Sequence, residues 1–322
     1  MTAIATKPNP SPTRKRWSLS DVSEATAKPD RYLVYGIEGV GKSTLAAGAP
    51  SPIAMSPDSG ARIKGLKFLP TPETWDEVFE SLSVLDEPHP YKTLIIDPVN
   101  WLELLCFARV VGGPGARYDA DTDSAIIGWG GGFSKGYKAT VSHWRTFVSA
   151  IERHWARGMT VVFCAHSKVK GFNDPAAAGW DRYQINMYEE SAGVLKQWCD
   201  YVLFARHEAA GKLDDKKRVK GISTGQRVMH TQWNAAWDAK SREKLPEEVP
   251  LSWTELQAAI KAAQDKVAEL KTQVQALVER IGDSEVARKA TRFVVDANDN
   301  PDRLAEIVNA LAVKLNEKES TK

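Results

Sequence analysis

The clearest chemical pattern is the segment GIEGVGKS at residues 36–43, which fits GxxxxGK[ST] in full. Glycines let the backbone turn tightly and bring its N–H groups close to phosphate oxygens. Lys42 can place its charge on the β- and γ-phosphates, and the Ser43 hydroxyl can bind Mg²⁺, so the pattern predicts an ATP- or GTP-binding loop. The residues assigned to the nucleotide are Gly36, Ile37, Glu38, Gly39, Val40, Gly41, Lys42, Ser43 and Thr44.

A phosphate-binding loop also needs a carboxylate for the metal ion. Asp97 directly follows the run Thr93–Ile96, which is apolar on both faces and suits a buried strand of a parallel sheet. Because ligands of open α/β sheets bind at the carboxyl ends of the strands, Asp97 is predicted to bind Mg²⁺ together with Ser43. The alternative is an aspartate that only forms a turn or cap before Pro98.

Two further polar residues follow predicted strands. Asp58 comes after the strand predicted at 52–56 and is a candidate for activating water in hydrolysis. The alternative is a plain turn aspartate, since its neighbours are proline, serine and glycine. His166 ends the strand predicted at 159–165, where it can sense the γ-phosphate and signal to the loop behind it; a purely structural histidine is the alternative.

Strands and helices must alternate to bring these residues to one edge. Apolar β-prone runs predict strands at 32–35, 52–56, 91–96, 159–165 and 201–205. Helices are predicted at 72–85, with Thr71 as N-cap, and at 42–47, 99–111, 139–157 and 191–199. The alternation predicts an α/β fold with a mostly parallel sheet and helices on both faces.

The segments between these elements are predicted as loops and a hairpin. A Gly-rich loop is predicted at 112–138 and a polar loop at 167–188. Residues 211–229 suit a β-hairpin whose turn carries the basic run 216–218.

The sequence divides into three parts, with a tail at 1–29, a nucleotide-binding domain at 30–253 and a helical extension at 254–322. The tail is rich in proline and basic residues, which favours a disordered segment or, alternatively, a basic arm that contacts DNA. Residues 256–281 carry a heptad seam, which suits a coiled coil that self-associates or a helical hairpin folded on itself. The seam residues are Leu256, Ile260, Ala263, Val267, Leu270, Val274, Leu277 and Ile281.

Composition adds few constraints. The 322 residues are 43% hydrophobic and carry a net charge of +2, so a nucleic-acid site must be a local patch. Three cysteines without CxxC spacing favour reduced thiols. No apolar run reaches the roughly 18 residues of a membrane span, and no apolar secretory signal is evident, so a cytoplasmic location is expected, which is the host cytoplasm if the chain is phage-encoded.

The order of these motifs resembles the core of RecA and RadA recombinases, and more closely that of bacteriophage RecA-like nucleotide-binding proteins of the single-strand annealing group. The resemblance covers about residues 30–255 and depends on the ordered set, because only the phosphate loop is specific by itself. It implies a RecA-like P-loop core. The matching stretches are 35–44, 72–75, 96–103, 165–170, 181–183 and 238–246.

The resemblance also implies roles for individual residues. Asp58 corresponds to the water-activating acid and His166 to the γ-phosphate sensor, while Lys240 and Arg242 resemble finger residues that reach a neighbouring subunit's γ-phosphate. The loops after Asp97 and His166 correspond to DNA-facing loops. Ordinary loop packing and an ordinary exposed basic pair are the alternatives. The residues assigned to DNA are Lys168, Lys170 and Phe172, with Trp180 and Tyr183 as further stacking candidates.

The resulting hypothesis is a Mg²⁺-dependent ATPase that binds single-stranded DNA as a homo-oligomer in phage recombination or replication. A single-strand-binding or other replication protein is a further candidate partner. The alternatives are a helicase-like motor, a small-molecule kinase and a non-catalytic nucleotide-dependent scaffold. The chain lacks an evident N-terminal polymerisation helix and carries the extra heptad region, so filament formation does not follow from the resemblance.

Overall fold

The predicted strands lie side by side in one sheet. The computed structural model describes residues 18–22, 28–57, 63, 65–173, 178–213 and 219–320, and these residues form a nine-stranded sheet. The strands are β1 (Arg31–Gly36), β2 (Pro52–Met55), β3 (Lys67–Phe68), β4 (Thr93–Ile96), β5 (Thr160–Phe172), β6 (Trp180–Ile185), β7 (Tyr201–Leu213), β8 (Val219–His230) and β9 (Glu248–Pro250). Their order is β3-β2-β4-β5-β1-β7-β8-β9, and β6 pairs with β5 outside this path.

Parallel pairing dominates the centre of the sheet. Strand β1 lies between β5 and β7, and β4 lies between β2 and β5, all in parallel. The pairs β5–β6, β7–β8 and β8–β9 are antiparallel. This arrangement confirms the predicted α/β fold class, because the central strands are linked by helices that cover both faces.

Most helices cover the two faces of this sheet, and the last two pack on the helix that precedes them. The helices are α1 (Lys42–Ala47), α2 (Trp75–Ser83), α3 (Val99–Gly112), α4 (Thr122–Gly128), α5 (Lys135–Ala156), α6 (Glu189–Trp198), α7 (Trp253–Ile281), α8 (Ser284–Ala297) and α9 (Pro301–Ser320). Alternation along β1 divides the core, since Leu33 and Tyr35 pack towards α2, α3, α5 and α6. Tyr32 and Val34 pack towards α1 and the start of α7. Both layers bury apolar strand residues, as the apolar runs predicted.

Helix α2 begins later than predicted. Thr74 rather than Thr71 is its N-cap, because the Thr74 hydroxyl accepts a hydrogen bond from the Glu77 N–H at 3.2 Å. Thr71 instead donates its hydroxyl to the Ser56 carbonyl at 3.1 Å. Two plausible threonine caps stand three residues apart, and the tertiary contact of Thr71 decides between them.

The Gly-rich segment is more ordered than predicted. Helix α4 lies inside it, a 3₁₀ turn follows at Trp129–Gly131, and α5 begins at Lys135 instead of residue 139. The Asp119 carboxylate accepts hydrogen bonds from the Thr122 N–H and hydroxyl, which orders the chain before α4. Ile126 and Thr122 of α4 are both buried, so this short helix packs against its neighbours.

The prediction of a polar loop at 167–188 was wrong. Strand β5 continues beyond His166 and pairs with β6 in the register Lys168↔Gln184, Lys170↔Arg182 and Phe172↔Trp180. The alternation of Lys168, Val169 and Lys170 is the period-two pattern of an exposed strand. Residues 174–177, at the tip of this β5–β6 hairpin, lie outside the described residues.

The second hairpin is longer than predicted. Strands β7 and β8 pair from Phe204↔His230 to Leu213↔Val219, so the strand predicted at 201–205 continues into the hairpin. The basic turn at 216–218 lies outside the described residues. So do residues 1–17 and 23–27, which hold most of the predicted tail.

The heptad seam is buried within the chain. Leu256 and Ile260 pack on the sheet, while Leu270 packs with Leu304, and Val274 and Ile281 pack with residues of α8 and α9. Helices α7, α8 and α9 therefore fold back on one another as successive antiparallel helices. This packing matches the alternative of a helical hairpin folded on itself. Within the described residues, no helix combines the length and apolarity needed to cross a bilayer.

Candidate functional site

The phosphate loop joins β1 to α1 at the carboxyl edge of the sheet. Gly36 ends β1 beside Ala205 of β7, where a Cβ atom would lie 2.0 Å from the Ala205 carbonyl oxygen. Gly41 has φ 109°, in the left-handed region that favours glycine. Val40 is fully buried and anchors the loop to the core. Glycines therefore stand where close approach or backbone conformation requires them.

Lys42 is buried beneath this loop. Its ammonium donates hydrogen bonds to the carbonyls of Gly36 at 2.9 Å and Ile37 at 2.8 Å. Burial lowers the pKa of Lys42, and the nearby carboxylates of Asp97 and Glu38 oppose this change. The Lys42 side chain is thus held in the loop by neutral carbonyls. A phosphate oxygen would be a stronger partner for its ammonium group.

Ser43 and Asp97 form the candidate metal position. The Ser43 hydroxyl hydrogen-bonds to the Asp97 carboxylate, although the two residues come from different strand ends. Burial raises the pKa of Asp97, while Ser43 and Lys42 lower it. The Asp97 N–H donates to the Met55 carbonyl at 3.0 Å, which fixes its backbone beside β2. A hydroxyl and a carboxylate in contact are oxygen donors of the kind that Mg²⁺ prefers, so this pair fits the ion.

His166 stands level with Gly36 in the pairing of β1 with β5. The His166 backbone N–H donates to the Asn100 side-chain oxygen at 2.9 Å. Its Nδ1 atom is buried and makes no hydrogen bond within the described part of the chain, and the Glu38 carboxylate lies 3.7 Å away. Burial and then the Lys42 charge lower the pKa of His166, so the neutral imidazole is favoured near pH 7. The site therefore contains a polar atom with unused hydrogen-bonding capacity.

The remaining loop residues have simpler surroundings. Ile37, Glu38 and Thr44 are exposed around the phosphate loop. Asp58, the predicted water-activating residue, lies outside the described residues. The structure thus brings Lys42, Ser43, Asp97 and His166 together.

Lys240 and Arg242 lie at the opposite edge of the sheet. The Lys240 backbone pairs with Val202 near the start of β7, and Arg242 forms an ion pair with Asp200 at 3.2 Å. Asp200 also binds Arg31 at the start of β1. Since the phosphate loop follows the other end of β1, these two residues lie away from the nucleotide site of this chain.

The residues assigned to DNA lie on the β5–β6 hairpin. The Lys168 ammonium donates to the Met187 carbonyl at 3.1 Å and is half-buried. Lys170 is exposed, and its ammonium lies 3.9 Å from the Glu189 carboxylate. The Phe172 ring packs against Trp180 at 5.3 Å. Tyr183 instead packs on Phe204 at the edge of the core and is partly buried.

Three residues of this region were missed from the sequence. Asn100 binds the His166 backbone, and Glu103 is a buried carboxylate that accepts the Tyr188 N–H at 2.9 Å. Both lie on α3, which begins two residues after Asp97, and the helical spacing of residues 99–106 was the signal that could have found them. Arg227 reaches the phosphate loop from β8, and only the strand pairing reveals that proximity.

Comparison with known proteins identifies the family of this core. Residues 28–243, two thirds of the chain, match the family model described as AAA domain. The chain belongs to this AAA domain family. A search of curated proteins found no match to the chain. Family membership confirms the prediction of a P-loop NTPase-type domain that binds nucleotide.

The AAA domain contains all the site residues described above. Its match ends at residue 243, before α7, so the helices α7–α9 are additional to it. The matched description names an AAA domain and does not name the RecA-like phage group that the motifs resemble.

Proposed function

We propose that this AAA domain hydrolyses ATP with Mg²⁺ and that single-stranded DNA stimulates the reaction. The observation that supports hydrolysis most is the convergence of Lys42, Ser43, Asp97 and His166 on one edge of the sheet, where β1 and β4 end and β5 leaves its pairing with β1. Ser43 and Asp97 would hold Mg²⁺, which when bound neutralises negative charge on the phosphates.

The chain's own residues have distinct parts in this proposal. Lys42 exchanges the Gly36 and Ile37 carbonyls for phosphate oxygens, which places its charge on the group that is transferred. His166, as a neutral imidazole with a free buried Nδ1 atom, hydrogen-bonds the terminal phosphate region. Asp58 follows β2 and is proposed to orient the attacking water.

A route from the phosphate to the β5–β6 hairpin supports DNA stimulation. His166 lies where β5 leaves the sheet and enters this hairpin. Asn100 binds the His166 backbone, just before the hairpin, and Glu103 binds the Tyr188 backbone, just after it. Helix α3 therefore contacts the chain where it enters the hairpin and where it leaves it. A change at His166 can therefore move Lys170 and Phe172, which are proposed to contact a DNA phosphate and a base.

The biological role is proposed from the motif order. The resemblance to phage RecA-like proteins favours recombination or replication, with a homo-oligomer as the active form and a single-strand-binding or other replication protein as a further partner. Lys240 and Arg242 lie at the sheet edge away from their own phosphate loop. That position suits residues that reach the nucleotide of a neighbouring subunit.

The test is steady-state ATP hydrolysis with and without single-stranded DNA. We expect the DNA to raise turnover, and we expect Phe172→Ala and Lys170→Ala to reduce the stimulation at least about fivefold without changing the basal rate, because stacking and phosphate contacts each contribute roughly 1 kcal/mol or more. Val169→Ala is the matched control, since Val169 is exposed next to Lys170 and lies on the other face of β5.

Turnover that is indifferent to single-stranded DNA in the wild-type protein would contradict the proposed DNA role. Equal loss of stimulation in the Val169→Ala control would show that the hairpin acts without specific base and phosphate contacts.

A further inference from the structure

An arginine from another part of the sheet touches the phosphate loop. The Arg227 guanidinium, through Nη1, donates to the Val40 carbonyl at 3.3 Å. A Cβ atom on Gly41 would lie 2.6 Å from the same Nη1 atom and 3.6 Å from the Leu251 side chain. Arg227 and Leu251 therefore lie directly against the backbone that receives the phosphates.

The strand pairing explains this position. Gly36 is level with Ala205, and Ala205 is level with Met229 of β8. Met229 is buried among residues of α1 and β1. Arg227, two residues before Met229, is on the same face of β8 and lies about 7 Å further along, beside the loop that follows Gly36.

The order of the strands gives the direction of approach. Asp97 follows β4, which lies two strands from β1 on one side, whereas β8 lies two strands from β1 on the other. Arg227 thus approaches the phosphate loop from the flank opposite the candidate metal position. A nucleotide whose terminal phosphates are held at Ser43 and Asp97 would have its α-phosphate and nucleoside towards Arg227.

The contacts of Arg227 leave it available for an anion. Within the described part of the chain, it forms no ion pair with a carboxylate. The Arg227 side chain is exposed, and its part-buried bond to the Val40 carbonyl is long. A guanidinium binds phosphate oxygens more strongly than a neutral carbonyl, often with two parallel hydrogen bonds.

We propose that Arg227 binds the α-phosphate and nucleoside end of the nucleotide held by the same subunit. This inference rests on the proposed nucleotide site. Because ATP and ADP share this end, Arg227 contributes equally to the affinity for both and leaves the cleavage of the terminal phosphate unaffected.

The test is calorimetric titration of ADP and of a non-hydrolysable ATP analogue, both with Mg²⁺. We expect Arg227→Ala and Arg227→Gln to weaken the binding of both nucleotides about tenfold and to a similar extent, as for loss of a charge-assisted hydrogen bond. Arg227→Lys should have an intermediate effect. Arg145→Ala, which changes an exposed arginine of α5, is the matched control and should leave both affinities unchanged.

Unchanged affinities in Arg227→Ala and Arg227→Gln, or a loss restricted to the ATP analogue, would overturn the inference. If Lys42→Ala weakens binding while these two variants bind normally, the nucleotide site stands and only the role of Arg227 fails. Wild-type protein that binds neither nucleotide overturns the proposed site and this inference together.

Discussion

At the residue scale, Gly36 marks the point where β1 and β7 leave no space for a side chain. The position that its Cβ atom would take lies 2.0 Å from the Ala205 carbonyl oxygen and 3.2 Å from the Ala205 Cβ atom. The neighbouring group is backbone of a central strand, so it cannot move away without breaking the pairing of β1 with β7. The first glycine of the phosphate loop therefore has a packing requirement as well as a role in the turn.

Gly36→Ala is expected to lower the free energy of unfolding by at least about 3 kcal/mol, because overpacking against fixed backbone strains the sheet. Gly193→Ala is the matched control. Gly193 lies within α6, and no neighbouring atom lies within 4 Å of the position that an added methyl group would take, so this change should raise stability by up to about 1 kcal/mol. Urea unfolding measures both, and a Gly36→Ala variant as stable as the wild type would contradict the packing argument.

Local sequence pattern predicted the residues that now lie together because each comes after an apolar run. Asp97 and His166 follow their runs directly and Lys42 follows its run through the phosphate loop, and the carboxyl ends of parallel strands meet at one edge. Arg227 could not be predicted in this way, since its position depends on the register of β7 with β8. Lys240 and Arg242 lie at the other edge because the chain returns past β8 before reaching them.

At the element scale, α3 connects the candidate metal position to the hairpin. It begins two residues after Asp97, and Glu103 on its buried face accepts the Tyr188 N–H at the start of α6. Burial raises the pKa of Glu103 to about 7, while that N–H and the Lys168 charge lower it. The folded chain therefore carries a carboxyl group that takes up a proton more readily than the unfolded chain does.

This carboxyl group makes stability depend on pH. Between about 4.5 and 7 the folded state binds more protons at Glu103 than the unfolded state, so the free energy of unfolding falls as pH rises, by at most roughly 3 kcal/mol from this group. Glu103→Gln should remove this part of the slope, because the amide oxygen can still accept the Tyr188 N–H. Urea unfolding at pH 5 and pH 8 measures it.

Glu80→Gln, at an exposed glutamate of α2, is the control and should retain the wild-type slope. A slope unchanged in Glu103→Gln would show that this carboxyl group titrates alike in the folded and unfolded chains.

Elements were predicted well where apolar runs are long and poorly where they are short. The strands at the centre of the sheet are apolar on both faces, which fixed their type. The β5–β6 hairpin was predicted as a loop because its strands are polar and their pairing supplies the order. Helix α4 was missed because the buried side chains Ile126 and Thr122 order it within a Gly-rich segment.

At the scale of the whole molecule, the heptad seam shows that one pattern can serve two surfaces. Its first part covers the sheet beside α1, and its later part packs on α8 and α9. A period of seven residues indicates a continuous apolar stripe and does not identify what covers it. In this structure residues of the same chain pack against it.

The proposed roles of Lys42, Ser43 and Asp97 require that this AAA domain releases phosphate from ATP with Mg²⁺. Wild-type protein should turn over ATP, and Lys42→Ala should reduce kcat at least about a hundredfold, since it removes the charge that stabilises the transferred phosphate. Lys138→Ala, at an exposed lysine of α5, is the control and should keep the wild-type rate. Turnover that persists in Lys42→Ala, or is lost equally in Lys138→Ala, would contradict the account.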